Sequence, residues 1–530
     1  MYLSAVVFAG ASVLLADPVN ASPLTNKRPV SCQTDTFGPL TLRADGTFQI
    51  SILEDLHFGE NAWDQWGPQQ DINSVKVINE IFDKESPGLV VLNGDLITGE
   101  NGFLENSTVY VDQIVGPLVS RNLTWASTYG NHDYDFNISG NTILEREKLW
   151  KNSRTSSMVP GDVGVSNYYL PVYEHGCVIE QACRPELLLW FFDSRGGFKY
   201  QQKDASGNRV GQPNWVDANV VDWFQQTSSS LTKRYGKTIP SLGFVHIPPY
   251  ASYALQEAGV DPNKEPGVND DLPLAPQAQG WCRDGSNNGT CTYGAQDTDF
   301  MQAISHTEGL IAVFSGHDHG DTWCYKWYRL LPDLDVTPAN NVTLCFGQHS
   351  GYGGYGNWER GSRQVQVSRE GLAKFEASTW IRLESGAVVG NVSLNGTYGE
   401  DLYPKTNSSM TYCPTYNSLT SFSWWHRLGM WDYCLTRPAL AGGHLTMQRL
   451  SQQIVHVMAK WVSGLKMHDK DLGCYVEFGV GRSTHARHAP WLPSLPGQTQ
   501  VSGKKSPRSS TPKMPKYTCW PDPKRRRRRP

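Results

Sequence analysis

The chain has 530 residues, of which 39% are hydrophobic and 18% charged, and this composition is sufficient for a large globular core. The formal net charge of −4 excludes an overall basic surface of the kind that favours nucleic acid or a membrane as partner. We therefore expect no nucleic-acid partner and no stable membrane insertion, while the oligomeric state stays open.

The N-terminus is almost wholly apolar from Leu3 to Ala16, and small residues follow around Val19–Ala21. This segment is too short to span a bilayer, and it has the form of a secretory signal peptide except that the basic start is missing. We predict that residues 1–21 are a signal peptide and that the protein is secreted. A buried N-terminal strand or a signal anchor is the alternative interpretation.

Sequons and cysteines favour the same extracellular assignment. The density of N-x-S/T sites is typical of a glycoprotein, and these sites begin at Asn106, Asn122, Asn137, Asn288, Asn341, Asn391, Asn395 and Asn407. Close pairs among the 11 cysteines suggest local disulfides, namely Cys177–Cys183, Cys282–Cys291 and, as a third candidate, Cys324–Cys345. No pair has the CxxC spacing of a structural zinc site.

From about Thr41 to Tyr403, short apolar runs end in polar tips, as in an α/β fold. The runs are TFQISIL (47–53), GLVVLNGD (88–95), LTWASTYGNHD (123–133), ELLLWFFDS (186–194), SLGFVHIPP (241–249) and GLIAVFSGHDH (309–319). Predicted helices lie between several of them, at Asp71–Ser86, Asn219–Tyr235 and Thr298–Thr307. Strands of this kind are buried on both faces, and chemistry collects at their carboxyl ends.

The tips supply carboxylate, amide and imidazole groups, which are the ligand types of divalent metals. These residues are Asp55, His57, Asp95, Asn131, His132, Asp133, His246, His317 and His319. Each tip taken alone is ordinary turn chemistry, and His246 between apolar neighbours reads as a core histidine. Packing does not readily produce five such signals in one order, each at the end of an apolar run, so together they indicate a metal site.

This order of motifs resembles the calcineurin-like metallophosphoesterases over roughly residues 45–400. The matching motifs are Asp55-Leu56-His57, Gly94-Asp95, Gly130-Asn131-His132-Asp133, His246 and Gly316-His317-Asp318-His319. The loop Cys345–Gly361 also resembles the fungal and plant branch related to purple acid phosphatases. The resemblance implies a two-sheet α/β/β/α sandwich over residues 40–405, with metals at the strand ends.

The resemblance also implies a ligand set for two divalent ions. One ion would take Asp55, His57, Asp95 and His319, and the other would take Asp95, Asn131, His246 and His317. The purple enzymes carry a tyrosine where this chain has Thr98, and a glycine where it has His57. The resemblance therefore implies a non-purple member, for which the sequence does not rank Mn, Zn and Fe(II).

Two ions ~3.5–4 Å apart can share a water, lower its pKa toward about 7 and thereby supply a hydroxide nucleophile for attack on phosphorus. His132 is the candidate to steady the phosphoryl charge or protonate the leaving oxygen, with Asp133 holding its ring. Arg360, Arg363 and His349 are weaker candidates for substrate contact, since each is more often a structural loop residue.

Residues 406–530 lack the repeated pattern of apolar runs that end in polar residues, and they finish with KRRRRRP. We therefore predict a largely disordered extension with a basic end. A nucleic-acid role for this end would conflict with the signal peptide. The function predicted from the whole sequence is that of a secreted metal-dependent phosphomonoesterase, which acts on a small phosphate ester or a phosphoprotein. A phosphodiesterase on the same scaffold and a non-catalytic extracellular binding protein are the alternatives.

Overall fold

A computed structural model describes residues 38–406 of the chain, except residues 64, 102–106, 288, 332–333 and 335. The predicted signal peptide lies outside the described residues, and so does the predicted C-terminal extension from residue 407 onward. The sequons at Asn106, Asn288 and Asn407 also lie outside them. Within the described ranges, no helix is long and apolar enough to cross a membrane.

The described part of the chain contains fifteen strands, numbered in chain order. They are β1 (Leu40–Thr41), β2 (Thr47–Leu53), β3 (Leu89–Asn93), β4 (Trp125–Thr128), β5 (Tyr168–Tyr173), β6 (Pro185–Phe192), β7 (Phe198–Lys203), β8 (Arg209–Gly211), β9 (Ser241–Val245), β10 (Leu310–Ser315), β11 (Cys324–Lys326), β12 (Thr343–Phe346), β13 (Gly361–Ser368), β14 (Ala377–Leu383) and β15 (Val388–Leu394). The strands expected from the six apolar runs are all present, as β2, β3, β4, β6, β9 and β10.

The helices of the described residues are α1 (Trp66–Phe82), α2 (Ser107–Ser120), α3 (Gly140–Glu147), α4 (Ala218–Tyr235), α5 (Tyr250–Ala258), α6 (Thr298–His306) and the single turn α7 (Arg369–Leu372). Helices α4 and α6 lie where the sequence predicts them. Helix α1 begins earlier than predicted, because Asp71 does not cap it and instead accepts a hydrogen bond from the Gly59 N–H at 3.1 Å. It also ends earlier, at Phe82 rather than Ser86.

The strands form two large sheets and one hairpin. The first sheet has the strand order β1-β5-β6-β9-β10-β12-β11, and the second has the order β15-β14-β13-β2-β3-β4. In the first sheet, the neighbouring strands β6, β9, β10 and β12 pair in parallel. In the second sheet, β2, β3 and β4 also pair in parallel. Strands β7 and β8 form a separate antiparallel hairpin.

The two sheets pack face to face, and helices cover their outer faces. Strand β6 shows the arrangement residue by residue, because successive side chains of a strand point to opposite faces. Leu189 and Phe191 belong to the core between the sheets, whereas Trp190 and Phe192 pack with Phe224 of α4 in the outer core. A third core joins α1, α2 and α3 to the second sheet. This is the α/β/β/α sandwich that the sequence resemblance implied.

Three disulfides are present in the described part of the chain. They join Cys177 to Cys183, Cys282 to Cys291 and Cys324 to Cys345, as predicted from the short sequence separations. The third connects directly opposite residues of the antiparallel strands β11 and β12. Oxidised cysteines of this kind are typical of chains that fold in an oxidising compartment.

Candidate metal centre

The polar tips of the two sheets meet at one place. The second sheet supplies Asp55 and His57 after β2, Asp95 after β3, and Asn131 in a short 3₁₀ turn after β4. The first sheet supplies His246 after β9, and His317 and His319 after β10. The carboxyl ends of parallel strands lie at one edge of a sheet, so stacking two such sheets brings both sets of side chains together.

The donor atoms of these residues lie within reach of shared cations. One group consists of Asp55, His57 and His319, and another of Asp95, His246 and His317; within each, the donor atoms lie within 4.8 Å of one another. Asp95 connects the two groups, because its Oδ2 lies 2.9 Å from His246 Nε2 and 3.8 Å from His57 Nε2. His132 can also join His57 and Asp95 in a third group.

Two unsatisfied atoms indicate that the residues fit metal ions. The side-chain oxygen of Asn131 and the Nε2 of His246 are buried, and neither has a hydrogen-bond partner among the described residues. His246 Nε2 is close to Asp95 Oδ2 but lacks hydrogen-bond geometry. Buried polar atoms are normally paired, and both of these belong to the predicted ligand set. A cation between them would satisfy both.

Three of the histidines are held through the ring nitrogen that points away from the centre. His57 Nδ1 lies 3.1 Å from the Thr98 hydroxyl, His246 Nδ1 lies 2.9 Å from the Asn93 carbonyl, and His319 Nδ1 lies 2.9 Å from the Tyr355 carbonyl. Such contacts fix ring orientation and leave Nε2 as the ligand atom. In the sequence, Thr98 was notable only because the purple enzymes carry a tyrosine at that position. In the structure, its hydroxyl is the partner of His57 Nδ1.

The backbone at the centre is strained. Four predicted ligands have left-handed backbone, with φ values of 53° at Asp55, 48° at His57, 49° at Asp95 and 77° at His317. Such conformations are unfavourable for residues with a Cβ and concentrate at functional sites. At Gly130, a Cβ would lie 2.3 Å from Asp95 Oδ1, so only glycine permits this approach.

Burial keeps the imidazoles of His57, His317 and His319 in the form that binds metals. Desolvation lowers the pKa of His57 to about 3 and that of His317 to about 3, and it lowers the pKa of His319 well below its usual value. The rings are therefore neutral near pH 7, and a neutral imidazole has a free lone pair for a cation.

His132 lies at the rim and forms a pair that sequence reasoning missed. Its Nδ1 lies 2.6 Å from Glu100 Oε1, and its backbone N–H donates to Asp95 Oδ1 at 2.8 Å. Burial opposes a positive charge on His132, but the carboxylates of Glu100 and Asp95 outweigh this and raise its pKa well above the usual value. The raised pKa favours a protonated ring near neutral pH. Nδ1 of this ring faces Glu100, so Nε2 is the ring nitrogen that remains for other contacts.

Asp133 does not hold the ring of His132, contrary to the prediction. Its carboxylate is fully buried and accepts hydrogen bonds from the backbone N–H groups of Leu96, Ile97 and Gly130, at 2.9, 3.0 and 2.9 Å. These donors belong to the loops after β3 and β4. Asp133 therefore ties together the two loops that carry Asp95 and Asn131, and it acts on the site through the backbone.

The three weaker candidates for substrate contact have other partners in the structure. Arg363 lies inside β13, where its buried guanidinium donates to the carbonyls of Phe346 and Thr322. Arg360 donates to the carbonyls of Gly351, Trp358 and Gly356 within its own loop. His349 packs on the His319 ring with centroids 3.9 Å apart. The contacts described for the two arginines are therefore with the protein itself, mostly with backbone carbonyls, and substrate contact by these residues stays a prediction.

Tyr355 in the glycine-rich loop holds His319 in three ways. Its ring stacks on the imidazole with centroids 4.0 Å apart and an interplanar angle of 10°. Its carbonyl accepts from His319 Nδ1, and its hydroxyl lies 3.1 Å from the His319 backbone nitrogen. The same hydroxyl donates to Asp271. This loop therefore positions a predicted ligand although it contributes none itself.

We expect Tyr355→Leu to weaken metal binding about tenfold, in the range found when partners of ligand histidines are removed. Titration calorimetry with Zn²⁺ or Mn²⁺ measures the change. Tyr355→Phe keeps the stacked ring and should show a smaller loss, and Tyr200→Leu, at an exposed tyrosine of β7, is the matched control. Unchanged affinity in Tyr355→Leu would show that the stack does not position His319.

A cavity of about 340 Å³ opens beside the predicted ligands. Besides ligand residues, its wall contains Glu60, Thr98, Glu100 and His132, together with Asp318 from the loop after β10 and Tyr355 from the loop between β12 and β13. This volume lies within the range of small-molecule sites. A substrate group entering this cavity reaches the ligand histidines His57, His317 and His319 directly.

The chain has recognisable relatives. A family model described as calcineurin-like phosphoesterase matches residues 52–321. The chain is 25% identical to a protein named "Probable inactive purple acid phosphatase 14" from Arabidopsis thaliana, covering 66% of this chain and 84% of the relative. It is 23% identical to phosphatase DCR2 from Saccharomyces cerevisiae, covering 64% of this chain and 54% of that protein. A dimetal phosphatase structure from Danio rerio is similar with a TM-score of 0.38 and 10% identity, covering 66% and 98% of the two chains.

Proposed function

The chain belongs to the calcineurin-like phosphoesterase family, and we propose that it hydrolyses phosphate monoesters at the metal centre. The observation that carries this proposal is the convergence of carboxylate, amide and imidazole donors from both sheets on one cavity. The unpartnered atoms of Asn131 and His246 support it, since a core built only for packing would satisfy them.

We infer that two divalent ions are held there. Asp55, His57 and His319 would hold one ion, Asn131, His246 and His317 the other, and Asp95 would lie between them. When bound, ions such as Mn, Zn or Fe(II) would supply electrostatic stabilisation of the phosphoryl charge and a nucleophile drawn from water. The chain's own contribution is a set of pre-oriented rings, whose Nδ1 atoms are already bound elsewhere.

His132 is proposed as the proton donor of the reaction. Glu100 holds its Nδ1, so Nε2 is the ring nitrogen available to donate a proton to the oxygen of the leaving alcohol. Glu100 also stabilises the positive charge of the imidazolium. The backbone N–H of His132 donates to Asp95 Oδ1, so the loop that carries the proposed proton donor is tied to the carboxylate that would lie between the ions.

The names of the relatives raise a second candidate, a protein that kept the fold without catalysis. Two Arabidopsis relatives are named as probable inactive purple acid phosphatases, whereas the Saccharomyces relative is named a phosphatase. This chain retains all the ligand residues of the family pattern, Asp55, His57, Asp95, Asn131, His246, His317 and His319. That retention favours the enzyme. The three disulfides support the further proposal that the protein passes through the secretory pathway.

The test is hydrolysis by the purified, metal-loaded protein. We expect turnover of an aryl phosphate monoester, loss of that turnover with a chelator, and recovery when a divalent metal is added back. A bis-aryl phosphate diester measured in parallel separates a monoesterase from a phosphodiesterase. No hydrolysis of either ester by protein with a full metal content would favour the non-catalytic candidate, and turnover without metal would contradict the mechanism.

A further inference from the structure

A second cavity lies at the opposite end of β10 from the metal centre. Its volume is about 520 Å³, and its wall contains Leu310 and Ile311, the first two residues of that strand. The predicted ligands His317 and His319 follow the last residue of the same strand. None of the predicted metal ligands is among the described residues of this wall. The volume lies within the range of small-molecule sites, and what occupies the cavity does not touch the metal centre.

Two of the predicted glycosylation sites meet at this cavity. Asn341 precedes β12 and Asn395 follows β15, and both residues line the cavity. Thr343, the third residue of the first sequon, also belongs to the wall. Strands β12 and β15 belong to different sheets, so only the packing of the two sheets brings these sequons together.

The side chain of Asn341 is available for modification. It is exposed, and neither atom of its amide has a partner among the described residues. The turn that carries it is fixed, because Asn340 Nδ2 donates to two carbonyls at the end of α6, at 2.9 and 2.7 Å. Asn395 is half-buried, and its Oδ1 already accepts from the backbone N–H groups of Thr397 and Tyr398, both at 3.0 Å. Asn341 is therefore the better attachment point.

An aromatic ring is exposed in the same wall. Phe375 is 41% exposed, and its backbone is left-handed with φ 59°, which is rare for a bulky residue. Its ring lies against Gly309, where a Cβ would be 3.2 Å from the ring atom Cε1. A sugar ring has an apolar face of C–H groups, and covering an exposed phenyl ring with that face removes apolar surface of both from water.

Lys326 offers a polar contact beside this ring. Its ammonium donates to the carbonyls of Asn395 and Gly396, at 3.2 and 2.8 Å. No carboxylate pairs with it among the described residues. An ammonium has three protons, so one remains for the hydroxyl or acetamido oxygen of a sugar. The wall thus combines an apolar surface and a hydrogen-bond donor, which are the two kinds of contact that a sugar makes.

We propose that Asn341 carries an N-linked glycan whose first N-acetylglucosamine units lie in this cavity, against Phe375 and Lys326. The proposal rests on the passage through the secretory pathway proposed above, and it is independent of phosphatase activity. The donor is an oligosaccharide on a lipid diphosphate. Nδ2 of Asn341 forms a bond to C1 of the first sugar and releases one proton, while the bond from C1 to the diphosphate oxygen breaks and the lipid diphosphate leaves.

Attachment to the wall makes the contact between sugar and protein intramolecular. A sugar on Asn341 is held beside the cavity at a high effective concentration, so a contact that is too weak for a free saccharide becomes populated. A cavity of about 520 Å³ admits the first sugars, and the branched outer part extends into solvent. The sugar is added before the chain folds, so the burial of Thr343 in β12 does not prevent the transfer.

Asn122 is the matched comparison for Asn341. Each is the exposed first residue of an Asn-x-Thr sequon with left-handed backbone, with φ 56° at Asn122 and 53° at Asn341. Asn122 does not line the cavity. The full chain is produced in the secretory pathway of a eukaryotic host that makes high-mannose glycans. The native protein is then treated with an endoglycosidase that cuts between the first two N-acetylglucosamines, and mass spectrometry of the peptides follows each site.

We expect both sites to be glycosylated and the glycan at Asn341 to be cleaved about tenfold more slowly, as for a protected state populated about ten to one. After denaturation, the two rates should be equal. Absence of a glycan at Asn341 would overturn the proposal, and so would equal cleavage rates on the native protein. Occupancy and cleavage are read from peptides, so they are decided separately from the hydrolysis of any phosphate ester.

Substitution of Phe375 tests the contact inside the cavity. Phe375→Asn removes the ring, and asparagine tolerates left-handed backbone. We expect the difference between the native cleavage rates at Asn341 and Asn122 to shrink to about twofold or less. Tyr200→Asn, at a ring of β7 that is 44% exposed and outside this wall, should keep the wild-type difference. An unchanged difference in Phe375→Asn would show that the glycan does not pack on this ring, contrary to the proposal.

Discussion

Asp95→Asn is expected to abolish turnover, with kcat reduced about a thousandfold or more. Asp95 lies between the two donor groups, with Oδ2 2.9 Å from His246 Nε2 and 3.8 Å from His57 Nε2. Asparagine keeps the size of the side chain and an oxygen that can accept from the His132 N–H. It loses the negative charge that would offset the repulsion of two cations held close together. The loss should therefore appear in metal content as well as in rate.

The measurement pairs kcat on an aryl phosphate with the metal content of the same preparation. Asp222→Asn, at an exposed position of α4, is the matched control and should retain both metal and turnover. An unchanged melting temperature in Asp95→Asn without added metal would show that the fold persists. Wild-type turnover in Asp95→Asn would remove Asp95 from the centre, and with it the proposed division of ligands between two ions.

The second large loss of turnover is expected when His132 is replaced. Its dependence on the leaving group distinguishes proton donation by His132 from metal binding. His132→Ala removes the imidazolium but leaves the backbone N–H that donates to Asp95. We expect kcat on an alkyl phosphate to fall about a hundredfold or more, because the departing alkoxide needs a proton. A nitrophenyl phosphate should lose much less, since its leaving group departs as a stable anion.

Metal content decides between the two roles that the geometry allows for His132. Its ring can join His57 and Asp95 in a group of donor atoms, although Glu100 already holds its Nδ1. Retained metal with a large loss on the alkyl ester would support proton donation. Loss of metal together with equal losses on both esters would instead make His132 a ligand. Glu100→Gln should give a smaller loss of the same pattern, because the imidazole remains but is no longer charge-stabilised.

Several features of the fold were predictable because they depend on short stretches of sequence. The six apolar runs become strands β2, β3, β4, β6, β9 and β10, since a run that is buried on both faces must be apolar throughout. The three disulfides also follow from sequence separation, because nearby cysteines meet at a small entropic cost of loop closure. The polar tips follow the strands directly, so their place at the strand ends needed no tertiary information.

Two of the misplaced predictions, for Asp133 and Arg363, share one physical cause, which is that their partners come from distant parts of the chain. Asp133 accepts hydrogen bonds from the backbone N–H groups of Leu96 and Ile97, in the loop after β3, and does not bind the ring of His132. Arg363 looked like a loop residue, but β13 begins at Gly361 and pairs Arg363 with Ile52 of β2. Register in a sheet decides which way such a side chain points, and register is set by the partner strand.

The sequence by itself determined the positions of six strands along the chain, the type of each donor group and its place at a strand end, because these follow from local periodicity and residue chemistry. The order of the strands within the two sheets came from the tertiary structure. Only the tertiary structure decided the pairing of His132 with Glu100, the stacking of Tyr355 on His319 and the contact of Glu60 with Gly354. Such contacts arise when two sheets pack face to face, and no local pattern specifies which loops then become neighbours.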